Sequence, residues 1–156
     1  MKLYLMQHAL AYSAAEEPER PLNLAGIAQA KSSARGIKRL GLAFDLIVAS
    51  PKRRAHQTAA LIAEGVRFPY SDILTTDTAL PEHPPEGLLE LLYCEPPESR
   101  ILVVGHLPQL AKLAASLMQG GTLRIANAGL ACFDLDQSRA VKLDFHLQVE
   151  HLAKMA

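Results

Sequence analysis

The chain has 156 residues, of which 49% are apolar and only 5% aromatic, with no tryptophan. That size suits one domain over residues 1–156 with a core of Leu, Ile, Val and Ala. Sixteen Lys plus Arg balance sixteen Asp plus Glu, for a formal net charge of zero, so nothing in the overall charge argues for nucleic acid or an anionic membrane as a partner, and any anion recognition has to be local.

Cys94 and Cys132 are the only cysteines and show no ligand spacing, the pattern of free thiols in a reducing compartment. The chain starts directly as a strand, without a charged leader or a small-residue cleavage site. No apolar run nears the ~18 residues of a membrane span. A soluble, cytoplasmic protein is the expectation.

Lys2 to Met6 reads as a short buried strand, because Leu3, Tyr4, Leu5 and Met6 run without a polar interruption. It breaks into Gln7-His8-Ala9, which puts His8 at a strand's carboxyl end, where open α/β sheets bind ligands. Leu10 to Arg20 is small and polar, with Pro18 and Pro21 near its end, and reads as a loop over that crevice. Asn23 is placed to cap a helix over Leu24 to Leu40, with Gly41 just past its end. Leu24, Ile27, Ala30, Ala34 and Ile37 form its expected inner face.

Phe44 to Ala49 predicts the second strand. Ser50-Pro51 then has the cap-and-proline order of a helix start, and this helix should run to about Glu64 and end at Gly65. Lys52, Arg53 and Arg54 crowd its first turns, against a macrodipole that favours negative charge there. Either these bases are solvated, at about a few tenths of a kcal/mol each, or one points at an anion seated on the same helix N-terminus. Val66 to Pro85 is irregular, with a short strand near Ile73-Leu74 and a Pro-rich loop from Leu80 to Pro85. Glu86 to Tyr93 reads as a Leu-rich helix, and Ile101 to Val104 as a third clear strand ending at Gly105-His106. Pro108 opens a helix through Met118, with Leu110, Leu113, Ala114 and Leu117 inward. Leu130–Leu135 and Val141–Leu147 predict two more strands, joined as a hairpin through Asp136 to Arg139. The tail after Gln148 carries no clear signal. Strand–helix alternation through the first two-thirds predicts an α/β protein whose mainly parallel sheet is covered on both faces, with one or more antiparallel strands from the terminal hairpin.

Three strands thus end in polar residues at one expected edge: Gln7-His8, Ser50 leading to Arg54, and Gly105-His106. Two histidines and an arginine at one place fit a phosphoryl pocket better than core packing. Arg offers a planar fork to phosphate oxygens, one neutral imidazole can attack phosphorus, and the other can donate to an oxygen. His56 reads as a surface or partner-facing residue, and His146 and His151 lack metal-ligand spacing. Asn127-Ala128-Gly129 reads equally as pocket floor or as a plain turn. No Walker A loop or GxGxxG is present.

The strand ending in His8, the block Ser50-Pro51-x-x-Arg54-Ala55-x-Gln57-Thr58 and Gly105-His106 resemble the histidine phosphatase (phosphoglycerate mutase-like) superfamily. Arg20-Pro21-Leu22 followed by Gly26, with the short length, resembles its bacterial phosphohistidine phosphatase branch. The resemblance implies a three-layer sandwich and a phosphatase without metal or organic cofactor. In it His8 is the nucleophile, Arg54 and His106 hold the phosphoryl group, and Arg20 reaches in from the loop as a further anion ligand. The implied substrate is a phosphohistidine-bearing protein such as a phosphotransfer domain of two-component signalling. A small-molecule phosphomonoesterase and a phospho-binding module are the competing readings.

Two departures from the family pattern stand out. Its usual opening is Arg-His-Gly, where this chain has Gln7-His8-Ala9; Gln7 can donate to phosphate but brings no charge, and Ala9 matters if the backbone there needs a positive φ. Glu82, in its stiff Pro-flanked loop, is the candidate proton donor, although an ordinary exposed loop carboxylate fits the same residues. A phosphohistidine substrate relaxes the need for that acid, because imidazole leaves far more readily than an alkoxide.

Overall fold

The structure is a computed structural model that describes residues 1–136 and 141–156. Its elements in chain order are β1 (Lys2–Gln7), α1 (Leu24–Arg39), β2 (Leu46–Ala49), α2 (Arg53–Val66), β3 (Leu74–Thr75), α3 (Pro85–Tyr93), β4 (Arg100–Gly105), α4 (Gln109–Leu117), β5 (Leu130–Leu135), β6 (Val141–Leu147) and α5 (Val149–Met155). The strands form one six-stranded sheet in the order β3-β2-β4-β1-β5-β6. β1, β2, β3 and β4 pair in parallel, while β5 is antiparallel to both β1 and β6. This is the mixed α/β fold that the alternation and the terminal strand pair predict. The hairpin turn expected from Asp136 to Arg139 lies, beyond Asp136, outside the described residues.

Why the central strands read as continuous apolar runs is clear from the two cores. Along β1, Leu3 and Leu5 face one core with Val48, Leu88, Ile101, Val103, Leu110 and Phe133. Tyr4 and Met6 face the other, with Ala34, Ile37, Ile47, Ile62, Leu102 and Val104. A strand covered on both faces has no position left for a polar side chain. Residues of α1, α2 and α5 belong to the second core and residues of α3 and α4 to the first, so the molecule is three layers deep.

In α1, Asn23 caps as expected, its Oδ1 accepting from the Gly26 amide at 2.8 Å. The inner stripe, however, is Gly26, Ala30, Ser33, Ala34 and Ile37; Leu24 is 81% exposed. Gly26 fills the inward place of the first turn because the Leu10 carbonyl lies where its Cβ would be, 1.8 Å away. Gly65 likewise does not end α2. It lies within the helix, 2.5 Å from Ala34 Cβ at its would-be Cβ, and so permits the close packing of α1 on α2. The helix closes one turn-step later, on Arg67 in the left-handed region at φ 62°. The unread tail is α5, whose Leu152 is fully buried and whose backbone meets α1 at Gly36, where the Leu152 carbonyl would stand 2.4 Å from an added Cβ.

Candidate active site

Parallel pairing in register brings the polar strand ends together. Gln7 stands opposite Gly105, and Ala49 opposite Val104, so His8, Ser50 and His106 each follow the last residue of three adjacent strands. The His8 amide donates to the Gly105 carbonyl at 3.0 Å, and the Ser50 amide to that of Val104 at 3.2 Å. The rings of His8 and His106 lie 5.0 Å apart.

His8 is oriented from both ends. Its Nδ1 lies 2.7 Å from its neighbour's carbonyl, that of Ala9, which fixes the proton on Nδ1. Its Nε2 accepts from Arg54 Nε at 3.2 Å, so its unprotonated lone pair is held on the side of the ring that faces Arg54. Behind the ring, Asn127 Nδ2 donates to the His8 carbonyl at 2.7 Å, and the Ala128 amide donates to that of Gln7 at 2.9 Å. The Asn127-Ala128-Gly129 turn, with Ala128 at φ 56°, therefore clamps the His8 backbone from the β5 side.

The Arg54-Ala55-x-Gln57-Thr58 spacing has a separate use for each residue. Arg54, only 9% exposed, meets His8. Ala55 is fully buried beneath it. Gln57 Oε1 accepts from the Leu22 amide at 2.8 Å, tying down the loop that carries Arg20. Thr58 Oγ1 accepts from the Ala9 amide at 3.0 Å and donates to the Arg54 carbonyl at 2.7 Å. Sequence reasoning gave Gln57, Thr58 and Asn127 no such roles; the i, i+3, i+4 spacing on α2 was the available signal for the first two. Ala9 is not among the described residues with positive φ, so alanine in glycine's place leaves no backbone strain there.

Outside this inner layer, an open cleft of about 650 Å³ is lined by Arg20, Lys52, Arg53, Arg54, His56 and Gln57 together with Pro18, Glu19 and Pro51. Four cations thus gather at one mouth of a protein with no net charge. Arg20 sits in the left-handed region at φ 47°, and its Nε donates to the Tyr12 carbonyl at 3.2 Å. Glu82 reaches the edge of this cluster, 3.7 Å from Lys52 Nζ. His56 also lines the cleft and packs edge-on against Tyr70, with ring centroids 5.6 Å apart. His146 and His151 stand elsewhere, both beside Gln148 at the start of α5.

Both site histidines are held neutral. Burial is the largest cause for His8, which is pushed down to about 4 with Arg54 and Arg20 adding to the fall, although the Ala9 carbonyl opposes it. His106, 1% exposed, is pushed down to about 3 by burial first and then by His8, Arg54, Lys52 and Arg20. At His8 desolvation outweighs the two arginines. Arg54 itself is lowered by burial and then by Arg20, yet an arginine remains charged at any working pH.

These depressed values set an acid limit on stability. The unfolded chain protonates its histidines below a pKa of about 6.5, while the folded chain does so only near 4 and 3. The folded state therefore binds fewer protons in that window and loses stability as pH falls from 6.5, by about 1.4 kcal/mol per pH unit per ring. Urea unfolding of the wild type and His106→Asn between pH 7.5 and 4.5 checks this: the variant should lose stability less steeply below 6.5, and parallel curves would refute it.

A mixed α/β sheet of this order, with a cationic cleft at the carboxyl ends of its central strands, belongs to a class of phosphatases. Residues 3–82 match the model of the histidine phosphatase superfamily (branch 1), and the chain belongs to that superfamily. It is 31% identical over 142 residues to an uncharacterised protein of Picosynechococcus, covering 83% of this chain and 82% of that one. The fold is that of the protein histidine phosphatase SixA solved with tungstate, with a TM-score of 0.89 at 23% identity over 97% of this chain and 99% of SixA. It is shared by a phosphoserine phosphatase variant of Entamoeba histolytica solved with phosphoserine, with a TM-score of 0.75 at 18% identity over 97% and 98% of the two chains. The family match ends at residue 82 and so holds His8, Arg20, Arg54 and Glu82 but stops short of His106.

Among the described residues, no helix is long and apolar enough to cross a membrane.

Proposed function

We propose that this chain, as a single cytoplasmic catalytic domain, removes phosphate from phosphohistidine on a partner protein such as a phosphotransfer domain of a two-component relay. The observation that carries this reading is the state of His8, with Nδ1 tied to the Ala9 carbonyl and Nε2 left unprotonated as the acceptor of Arg54 Nε. The Nε2 lone pair attacks phosphorus and the Nε2–P bond forms as the bond from phosphorus to the substrate's ring breaks. Once that ring's other nitrogen takes a proton from solvent, it leaves as neutral imidazole. Its ordinary conjugate-acid pKa, about 6.5, makes a dedicated acid unnecessary.

His8 keeps its Nδ1 proton throughout, so the phosphorylated ring is cationic and the Ala9 carbonyl stabilises it. Arg54 and Arg20 neutralise the phosphoryl oxygens, His106 donates to one of them, and Gln7 and the Ala9 backbone complete the wall. Water then attacks phosphorus, the Nε2–P bond breaks back onto the ring, the water proton passes to solvent, and phosphate departs. SixA, a protein histidine phosphatase of the same fold, was solved with tungstate, which supports reading this cationic site as one for an oxyanion. The cationic mouth with its wide opening suits a phosphoryl group presented on a protein surface.

Rapid quench with a 32P-phosphohistidine protein is expected to trap an acid-labile, base-stable phosphate on the chain, absent in His8→Ala. Label on a carboxylate or serine would overturn the mechanism. One observation favours a second reading, that of a small-molecule phosphomonoesterase: Glu82 stands beside Lys52 at the rim of the cleft, where its acid form could protonate an alkoxide. Glu82→Gln should then slow an aryl phosphate and spare phosphohistidine.

Gln7 bears on whether the site turns over at all. With Arg54, Arg20 and the other rim cations supplying the charge, Gln7→Arg should alter phosphate affinity modestly and change turnover by less than about tenfold, ~1.4 kcal/mol in barrier. A silent wild type with a Gln7→Arg variant that turns over would mean a phosphate-binding module instead.

A further inference from the structure

We infer that Ser50 is a positioning residue that fixes the ring tautomer of His106, so that Nδ1–H is the donor His106 offers to the phosphoryl group. The inference rests on the reading of His8 and His106 as the reacting pair, and adds to it which nitrogen of His106 works and what holds it. Ser50 was expected to cap α2. The helix instead begins at Arg53 after Lys52, and the Ser50 hydroxyl is drawn to the neighbouring strand end, with Oγ 2.9 Å from His106 Nε2.

Ser50 and His106 are both sealed from solvent, at 0% and 1% exposure. Among the described residues Oγ has two contacts. The Lys52 amide donates to it at 3.3 Å, a contact that gives the hydroxyl proton no acceptor, and His106 Nε2 is the remaining partner. A buried hydroxyl proton needs an acceptor, and the unprotonated nitrogen of a neutral ring supplies one. Nε2 is therefore the acceptor and Nδ1 carries the proton. Nδ1 is in turn a buried polar atom with no partner, a costly state for a group with nothing to bind and the expected one for a donor waiting on a ligand. Depression of the His106 pKa is consistent with a neutral ring in the resting protein.

Sheet register makes the pair. Ala49 stands opposite Val104, so the residue after β2 and the residue two after its partner in β4 meet side by side. Threaded this way, the serine of the Ser50-Pro51 pair meets the histidine that follows β4.

Long-range 1H–15N correlation spectra of 15N-histidine-labelled protein read the tautomer directly, before and after adding inorganic phosphate. In the wild type His106 should be the Nδ1–H tautomer, and phosphate should shift that nitrogen. In Ser50→Ala the Nδ1–H form should lose its dominance. Its kcat on an aryl phosphate should fall about a hundredfold, the scale of losing one preorganised donor, with KM changed far less. A wild-type His106 in the Nε2–H form, or a folded Ser50→Ala whose kcat stays within about threefold, would overturn the inference. Should Ser50→Ala fail to fold, the wild-type spectrum still decides, and because it needs no turnover it separates this inference from the catalytic reading beneath it.

Discussion

His8→Ala is expected to abolish turnover by a factor of about 10⁴ to 10⁶, the range seen when a covalent nucleophile is removed, while phosphate still binds. The two effects separate because, in the proposed mechanism, the ring contributes chemistry and its neighbours contribute charge. Arg54 donates to His8 Nε2 at 3.2 Å; without the ring, that Nε–H is free to meet a phosphate oxygen. Arg20, Lys52 and Arg53 keep the mouth of the cleft positive. Isothermal titration with inorganic phosphate beside single-turnover kinetics measures both. Affinity should hold within about tenfold, or ~1.4 kcal/mol. A variant that retains more than a hundredth of the wild-type rate would place the nucleophile elsewhere. Loss of the fold is not expected, since the backbone of this segment is secured independently of the ring, by Thr58 on the Ala9 amide and Asn127 on the His8 carbonyl.

That backbone clamp also marks where the sequence stops being informative. Strand positions were legible because β1, β2 and β4 are covered on both faces, and continuous apolar runs have few other uses. His8, Arg54 and His106 were legible because each follows a strand that such a run announces. The contacts that aim them were not. Asn127 reaches His8 across 119 positions of sequence, and Ser50 reaches His106 across 56; no local pattern encodes such pairs. Leu24 misled for a related reason. Its spacing matched the inner stripe, but a crossing loop took the inward place through Gly26, and only the approach of the Leu10 carbonyl reveals that. The C-terminal helix α5 gave no signal because it buries one large residue, Leu152, and is capped by Gln148 and His151 in place of the usual Ser or Asp with Glu. Burial, not the flanking arginines, dominates the His8 pKa, which again depends on packing that only the fold supplies.

Arg54→Ala should lower kcat/KM by about 10³ to 10⁴, and Arg54→Lys by about 10² to 10³, roughly 3–4 kcal/mol of transition-state stabilisation for the milder change. In the proposed mechanism the arginine performs two tasks in one side chain. Its Nε–H holds the His8 lone pair in line, and its terminal nitrogens offer a fork to the phosphoryl oxygens that a lysine point charge cannot reproduce. Family members with an arginine before the nucleophile have a second fork next to it; Gln7 supplies none here, so in the proposed mechanism Arg54 and Arg20 carry the charge. Lysine should therefore recover binding better than turnover, with KM near wild type and kcat low. The same substitutions offer a check on the electrostatics. Arg54 lowers the His8 pKa less than burial does, so Arg54→Ala should raise it only partway from about 4 towards the ordinary 6.5, measurable by 1H NMR titration of the ring. A variant whose kcat/KM stays within tenfold of wild type would show that Arg54 serves only to cap the charge of an empty cleft, and the phosphoryl contact would then have to be reassigned to Arg20.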